Sequence, residues 1–324
     1  MAIRTPVSNE ELATVVEGFG LPSLARARGV EAGTVNTSYA LELVTGERLF
    51  LRLYEEQDAL GARREAALLA HLASRGVRTP APFVPADGSA IRLVAGKPAA
   101  LFPWVDGTML CQRAVTAEAT FTVGAALAQI HLAGHAPQAR LDGGRFQPDH
   151  LIERCSRVAQ SVDPEARALA GALAEAMRSV RDARSRGAPR GLIHGDLFRD
   201  NVLWTTSEGA PLRIAALLDF ESAHDGPFAY DLAVTILSWC FGDDLDLLLA
   251  RSMVQGYRSV RELEGADRDA LYDEAIFAAL RFTITRITDD AIRVGKRWQR
   301  FVARREALER LGKERLLAGL GLGS

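Results

Sequence analysis

The stretch 191–219 constrains this chain more than any other. It reads G-L-I-H-G-D-L-F-R-D-N-V-L-W and, after a polar interval, A-L-L-D-F. His194-Gly195-Asp196 opens a loop, Asn201 follows Asp196 by five residues, and Asp219 ends the next apolar run. Moving a phosphoryl group from a nucleotide to a hydroxyl needs a carboxylate that orients the hydroxyl and accepts its proton. It also needs two oxygen ligands that hold Mg²⁺ against the triphosphate. Asp196 supplies the first, Asn201 and Asp219 the second. Residues 202–204 and 214–218 read as two short strands joined by the polar turn 205–211, a hairpin that would bring Asn201 and Asp219 to one metal ion.

Asp, Asn and Gly are also ordinary turn formers, favoured in loops for local hydrogen-bonding reasons. That explains any one of these residues alone. It does not explain H-G-D-x-x-x-x-N followed by an apolar strand ending in Asp-Phe, where spacing and strand context agree with a phosphoryl-transfer loop.

The bulk properties narrow the setting. At 324 residues, 48% hydrophobic and 25% charged, the chain can bury a large core divided into two lobes, 1–105 and 106–324. A net charge of −2 gives no general attraction to nucleic acid or anionic membrane. The N-terminus lacks an apolar signal core, and no apolar run approaches a membrane span, so a cytoplasmic protein is expected. Cys111, Cys155 and Cys240 are isolated, without CxxC or Cys/His ligand spacing, and read as reduced structural residues. Only Lys97, Lys296 and Lys313 are lysines, a bias attributable to genomic composition. The closing G-L-G-L-G-S lacks a following helix to form an anion site and reads as a tail.

Periodicity organises the rest. Residues 10–17 form a short helix, and 27–43 with 47–54 read as antiparallel strands with Gly33 at a bend, where glycine lets backbone amides approach phosphates. Arg52 is a cation inside the apolar run L-F-L-R-L-Y, and 59–76 reads as a helix carrying Glu65. A strand cation oriented by a helix carboxylate would hold the α and β phosphates; an exposed strand arginine is the alternative. Strand-like segments around 91–93 and 99–105 lead into Asp106-Gly107, a lobe connection whose Phe102, Trp104 and Val105 would offer apolar surface to adenine. Helical patterns follow at 117–133, 149–159, 164–186, 228–241, 246–257, 267–290 and 294–311.

H-G-D-L-F-R-D-N and L-D-F-E, reinforced by F-A-Y-D-L-A at 228–233, resemble the aminoglycoside phosphotransferase and choline kinase superfamily. That resemblance implies an α+β, bilobal protein-kinase-like fold. It implies a small antiparallel N-terminal lobe with one main helix, a larger helical C-terminal lobe, and the use of ATP and Mg²⁺. It also implies that Asp231 and His194 support the catalytic loop instead of doing chemistry. Within the superfamily the chain is most similar to the bacterial homoserine kinases of the aminoglycoside-phosphotransferase-like type. G-T-V-N-T-S-Y-A-L, H-L-A-S-R-G-V-R-T-P-A-P, H-L-A-G at 131–134, A-Y-D-L-A-V-T-I-L-S-W-C-F and A-L-R-F-T-I-T-R-I-T-D carry this likeness in order. Two departures stand out: L-D-F-E-S-A-H-D-G stands where a more aromatic sequence is expected after the metal-binding aspartate, and the strand cation is arginine instead of lysine.

The residues themselves favour a small acceptor. Tyr230 follows Asp219 by eleven residues, too few for a peptide-docking segment. Residues 240–324 carry fifteen Lys/Arg against fourteen Asp/Glu, a balance that suits an amino acid better than a polycation. Glu221, Arg281 and Arg286 are the candidate acceptor contacts, an arginine for a carboxylate and an acid for an ammonium; helix-surface ion pairs are the alternative. The expected reaction is phosphorylation of the L-homoserine hydroxyl, a step of threonine biosynthesis. The rivals are an aminoglycoside, amino-alcohol or sugar kinase, and a noncatalytic nucleotide-binding protein. Whether the chain acts as a monomer or a homodimer is left open.

Overall fold

The computed structural model describes residues 3–30, 35–134, 143–144, 146–184, 187–205, 212–289 and 298–323. The chain divides into two compact units. The first takes in the described residues up to Gly107 together with Ala215–Leu218. Helix α1 (Asn9–Gly18) starts at a capping box in which Ser8 and Glu11 satisfy each other's backbone N–H. Strands β1 (Leu24–Gly29), β2 (Thr37–Leu43) and β3 (Arg48–Leu53) precede helix α2 (Ala59–Ser74), and β4 (Ile91–Val94) and β5 (Lys97–Pro103) follow it. They form one antiparallel sheet in the order β1-β2-β3-β5-β4.

The two-residue period of β3 decides what each face carries. Leu49, Leu51 and Leu53 are buried with Leu41, Leu43 and Leu101 against Leu12 and Val16 of α1. Phe50 and Arg52 therefore point to the other face, where register sets Phe50 opposite Phe102 and Arg52 opposite Ala100.

The second unit is mostly helical. It contains α3 (Ala117–Ala133), α4 (Pro148–Val158), α5 (Pro164–Ala168), α6 (Ala170–Ala183) and strands β6 (Arg190–Ile193) and β7 (Val202–Trp204). After β8 (Ile214–Leu217) come β9 (His224–Pro227), α7 (Phe228–Trp239), α8 (Leu247–Arg258), α9 (Gly265–Thr288), α10 (Gln299–Leu311) and α11 (Lys313–Gly319). The single helix expected over 164–186 is two, parted at Leu169. Strand β9 was not legible because H-D-G-P has no apolar alternation; pairing with β6 makes it a strand. The α+β, protein-kinase-like class is as expected. Among the described residues no helix is long and apolar enough to cross a membrane.

Helix α7 is buried on every side from Ala229 to Trp239, so its last carbonyls cannot reach water. Side chains from three elements serve them. Arg304 Nε donates to Leu237 O at 2.7 Å, Arg199 Nε to Ser238 O at 3.4 Å, and Gln112 Nε2 to Trp239 O at 3.0 Å. Two of the caps are cations, which also suits the negative end of the helix dipole.

Helices α3 and α8 meet through glycines. A Cβ on Gly124 would lie 2.0 Å from Met253 O, and one on Gly256 1.9 Å from Phe121 O. Backbone cannot yield as a flexible side chain does, so the helices would have to part. Gly256→Ala is expected to cost at least about 2 kcal/mol. Gly171→Ala on α6, where nothing lies within 4 Å of an added Cβ, should instead stabilise by roughly 0.5–1 kcal/mol. Urea unfolding followed by tryptophan fluorescence checks both; equal effects would refute the close-approach argument.

Candidate active site

The catalytic-loop candidate leaves β6 at His194, which is fully buried. Gly195 turns the chain with φ +78°, and a Cβ there would lie 2.7 Å from Ser222 O. The turn is held from outside. The His194 N–H donates to Asp231 Oδ2 at 2.7 Å and the Gly195 N–H to Asp231 Oδ1 at 2.8 Å. Asp231, in the first turn of α7, is itself fully buried. Burial pushes its carboxyl up, but the His131 hydrogen bond, the electrostatics of the nearby His131 and His194 rings and the His194 backbone N–H outweigh this and hold it below the ordinary carboxylate range. His131 is moved the other way, pulled down by its own burial.

These directions fix the protons in a chain of contacts. An ionised Asp231 only accepts, so His131 Nε2 donates to Oδ2 across 3.0 Å. His131 Nδ1 then accepts from the Tyr257 hydroxyl at 2.7 Å, whose oxygen accepts from Arg261 at 3.0 Å. Arg261 also pairs with Asp267 at 2.9 Å. His131, Tyr257 and Arg261 were not singled out in the sequence. The signal was present in A-Q-I-H-L-A, where a histidine takes a core position of an apolar helix and so requires a buried partner.

Three oxygen-bearing side chains follow. Asp196 is half-buried overall, but its Oδ1 is fully buried without a hydrogen-bond partner among the described residues. Burial raises its pKa; Arg281 opposes this most strongly, Asp219 adds to the rise, and Arg286 opposes it further. The Asp196 carbonyl accepts from the Phe198 N–H at 2.7 Å and from Asn201 Nδ2 at 2.8 Å. The Asn201 amide thus has its donor end committed to the loop and offers its oxygen as the remaining acceptor. Trp239 Nε1 closes the loop's far side through Leu197 O at 3.0 Å.

Asp219 has φ 62° and ψ 67°, a left-handed conformation that is costly outside glycine and concentrated at functional sites. Thr205 N–H donates to Arg213 O at 2.9 Å and closes the segment that separates Asn201 from Asp219; most of the turn between them, 206–211, lies outside the described residues. Among the described residues no three His, Cys, Asp or Glu side chains are grouped to hold a metal. A hard cation that takes part of its oxygen shell from phosphates needs no such group, and one amide oxygen plus one carboxylate suits Mg²⁺.

The first unit carries the cation. Arg52 NH1 meets Glu65 Oε1 at 3.1 Å, with the glutamate side chain 5% exposed and also accepting from Gln57 at 3.2 Å. The guanidinium lies 5.9 Å from the ring centroids of both Phe50 and Phe102. Phe102 is buried in β5, while Trp104 and Val105 are half-buried just beyond it. Trp104 donates to Asp106 at 3.2 Å, and Arg48, 5.6 Å from the indole centroid, pairs with the same carboxylate. Gly33 lies outside the described residues.

Of the acceptor candidates, Glu221 sits half-buried in the 3-10 turn Phe220–Ser222 that follows Asp219. Arg281 and Arg286 lie on α9, the first buried and the second half-buried. Asp289 is paired with Arg154 at 2.8 Å and Arg157 at 3.6 Å. Asp290 lies outside the described residues.

Comparison with known proteins agrees with this chemistry. Residues 26–271 match the APH phosphotransferase enzyme family. The homoserine kinase of Gluconacetobacter diazotrophicus is 36% identical over 298 residues, with 89% of each chain covered. That of Caulobacter sp. (strain K31) is 33% identical over 298 residues, again with 89% of each covered. Among solved structures, an amicoumacin kinase in complex with AMP-PNP and Ca²⁺ matches with a TM-score of 0.69 at 14% identity. It covers 93% of this chain and 94% of that one, a likeness of fold. With three quarters of its length matched and its loop residues arranged as described, the chain belongs to the APH phosphotransferase enzyme family.

Proposed function

We propose that this enzyme transfers the γ-phosphoryl of ATP, with Mg²⁺, to the side-chain hydroxyl of L-homoserine, releasing O-phospho-L-homoserine and ADP, a step of threonine biosynthesis. The observation that carries the chemistry is the buried, unpartnered Oδ1 of Asp196 on a loop pinned by Asp231. The acceptor follows from the homoserine kinases that resemble the chain at 33–36% identity.

Asp196 accepts a hydrogen bond from the substrate hydroxyl and aims its oxygen at the γ-phosphorus. As the new O–P bond forms, the bond from phosphorus to the bridging oxygen of ADP breaks, and the hydroxyl proton passes to Asp196. Asn201 and Asp219 would hold Mg²⁺, which when bound would supply positive charge against the triphosphate. Arg52, oriented by Glu65, contacts the nucleotide phosphates, with Phe102, Trp104 and Val105 as apolar surface for the base. The buried cation Arg281, with no hydrogen-bond partner for Nε and NH1 among the described residues, disfavours a polycationic aminoglycoside as acceptor.

Asp196→Asn should lower kcat by about a hundredfold to ten-thousandfold while Mg·ATP affinity is retained, because the amide keeps the shape but cannot take the proton. Near wild-type turnover of the folded variant would remove Asp196 from the chemistry. Asp219→Ala deletes an anionic ligand and should weaken Mg·ATP binding more than Asp196→Asn does; equal calorimetric affinities would contradict the division of roles. Arg52→Met should raise the KM for Mg·ATP by roughly 10- to 100-fold, the worth of a charged hydrogen bond, and leave the KM for the acceptor unchanged. A panel of homoserine, choline, serine, threonine, methylthioribose and kanamycin tests the substrate; rapid turnover of another member with none of homoserine would overturn the acceptor and keep the kinase.

A further inference from the structure

Arg281 is a buried cation of the second unit whose guanidinium holds nitrogens with no hydrogen-bond partner among the described residues. It is 4% exposed, and its guanidinium lies 3.8 Å from the ring centroid of Phe282 and 4.2 Å from that of Phe146. Its Nε and NH1 are fully buried and have no hydrogen-bond partner among the described residues. Other arginines of the same unit also lie over rings but are paired. Arg304 donates to two carbonyls, Arg184 meets Glu274 at 2.9 Å, and Arg261 meets Asp267 at 2.9 Å.

A guanidinium stays ionised at any working pH, so burial cannot be relieved by losing its proton. Leaving it unpaired in the interior is unfavourable, and a ligand anion would relieve that. The position of this cation says which ligand. Phe282, the next residue, packs against Phe198 of the Asp196 loop with ring centroids 5.0 Å apart, and the Arg281 charge is the strongest influence opposing the burial of Asp196. Arg286 opposes the burial of Asp196 less strongly and is half-exposed.

We propose that Arg281 is the receptor for the α-carboxylate of the acceptor and sets its specificity, an inference that rests on the homoserine reading. The donors of a guanidinium lie in its plane, and a planar carboxylate can meet two of them at once. An acceptor held by its carboxylate beside Asp196 presents its far hydroxyl to that base with little freedom left to lose. An alcohol without the carboxylate leaves Arg281 buried and unpaired, and is rejected for that reason.

The test compares wild type, Arg281→Met and Arg281→Lys on L-homoserine and on 3-aminopropan-1-ol, the same molecule without its carboxylate. Thermal unfolding is recorded with and without homoserine. Arg281→Met should lower kcat/KM for homoserine by roughly 10- to 100-fold, mainly through KM, and leave the KM for Mg·ATP unchanged. The preference for homoserine over 3-aminopropan-1-ol should fall by the same factor, and Arg281→Lys should restore part of it. Without ligand the Arg281→Met unfolding midpoint should not drop, because an unsatisfied buried charge has been removed, whereas the rise caused by homoserine should disappear.

An equal fall for both acceptors would overturn the inference and leave the homoserine reading standing. So would a rise in the KM for Mg·ATP, which would assign Arg281 to a phosphate, or a lower midpoint with the homoserine response intact, which would make it structural. A wild type that prefers 3-aminopropan-1-ol, or that neither turns over homoserine nor is stabilised by it, would overturn both.

Discussion

The carboxylate of Asp231 is the fixed point on which the rest of the second unit depends. It is wholly buried, so each of its oxygens must be answered by a donor, and three converge on it: two consecutive backbone N–H groups of the loop and the ring of His131. Removing one partner from such a site typically costs roughly 3–5 kcal/mol, since the remaining charge is left buried. A backbone turn held by two N–H groups to one carboxylate has little room to rotate. The Asp196 carboxyl, one residue beyond, inherits that rigidity without being touched by the group that provides it.

The support for this point reaches back to residues with no polar side-chain atom at all. Gly124 and Gly256 let α3 and α8 approach closely, and this spacing sets the Tyr257 hydroxyl 2.7 Å from His131. A methyl group added at either glycine would press on backbone, and the hydrogen bond from Tyr257 would be among the first to break. Packing and electrostatics therefore form one device, with the glycines fixing a distance, the tyrosine fixing a tautomer, and the histidine fixing the loop. Asp196 and Arg281 are among the side chains that hold a buried polar atom with no hydrogen-bond partner among the described residues. Satisfied buried charge rigidifies, while unsatisfied buried charge stores affinity for something absent from the folded chain.

Much of this could be read from the chain, and the failures have physical causes. Local structure was legible: the loop residues crowd into one short segment, and the helix runs 117–133 and 228–241 are strongly apolar. Strand β9 was not, because its residues gain strand geometry only by pairing with β6. His131, Tyr257 and Arg261 are far apart in sequence and meet only in the packed helices, so no local pattern announces their contact. The choice between Arg281 and Arg286 was open for the same reason. Both occupy α9, and what separates them is packing: Arg281 is buried with Nε and NH1 unpartnered among the described residues, and Arg286 is half-buried.

The scarcity of lysine, which composition alone attributes to the genome, has a structural consequence. Of 39 basic residues only three are lysines, and the buried or half-buried arginines repeatedly lie against rings: Arg52 by Phe50 and Phe102, Arg184 over Phe277, Arg261 over Phe228, Arg304 by Phe241 and Phe301. A guanidinium is flat and weakly hydrated, so it can enter an apolar wall face-on while its edge still donates. An ammonium in the same place would keep its demand for water and lose the stacking. The arginine at the strand-cation position is thus one case of a general habit. Arg52 keeps its hydrogen bond to Glu65 while two aromatic rings lie about 6 Å from its charge, an arrangement for which a lysine would need a differently shaped wall.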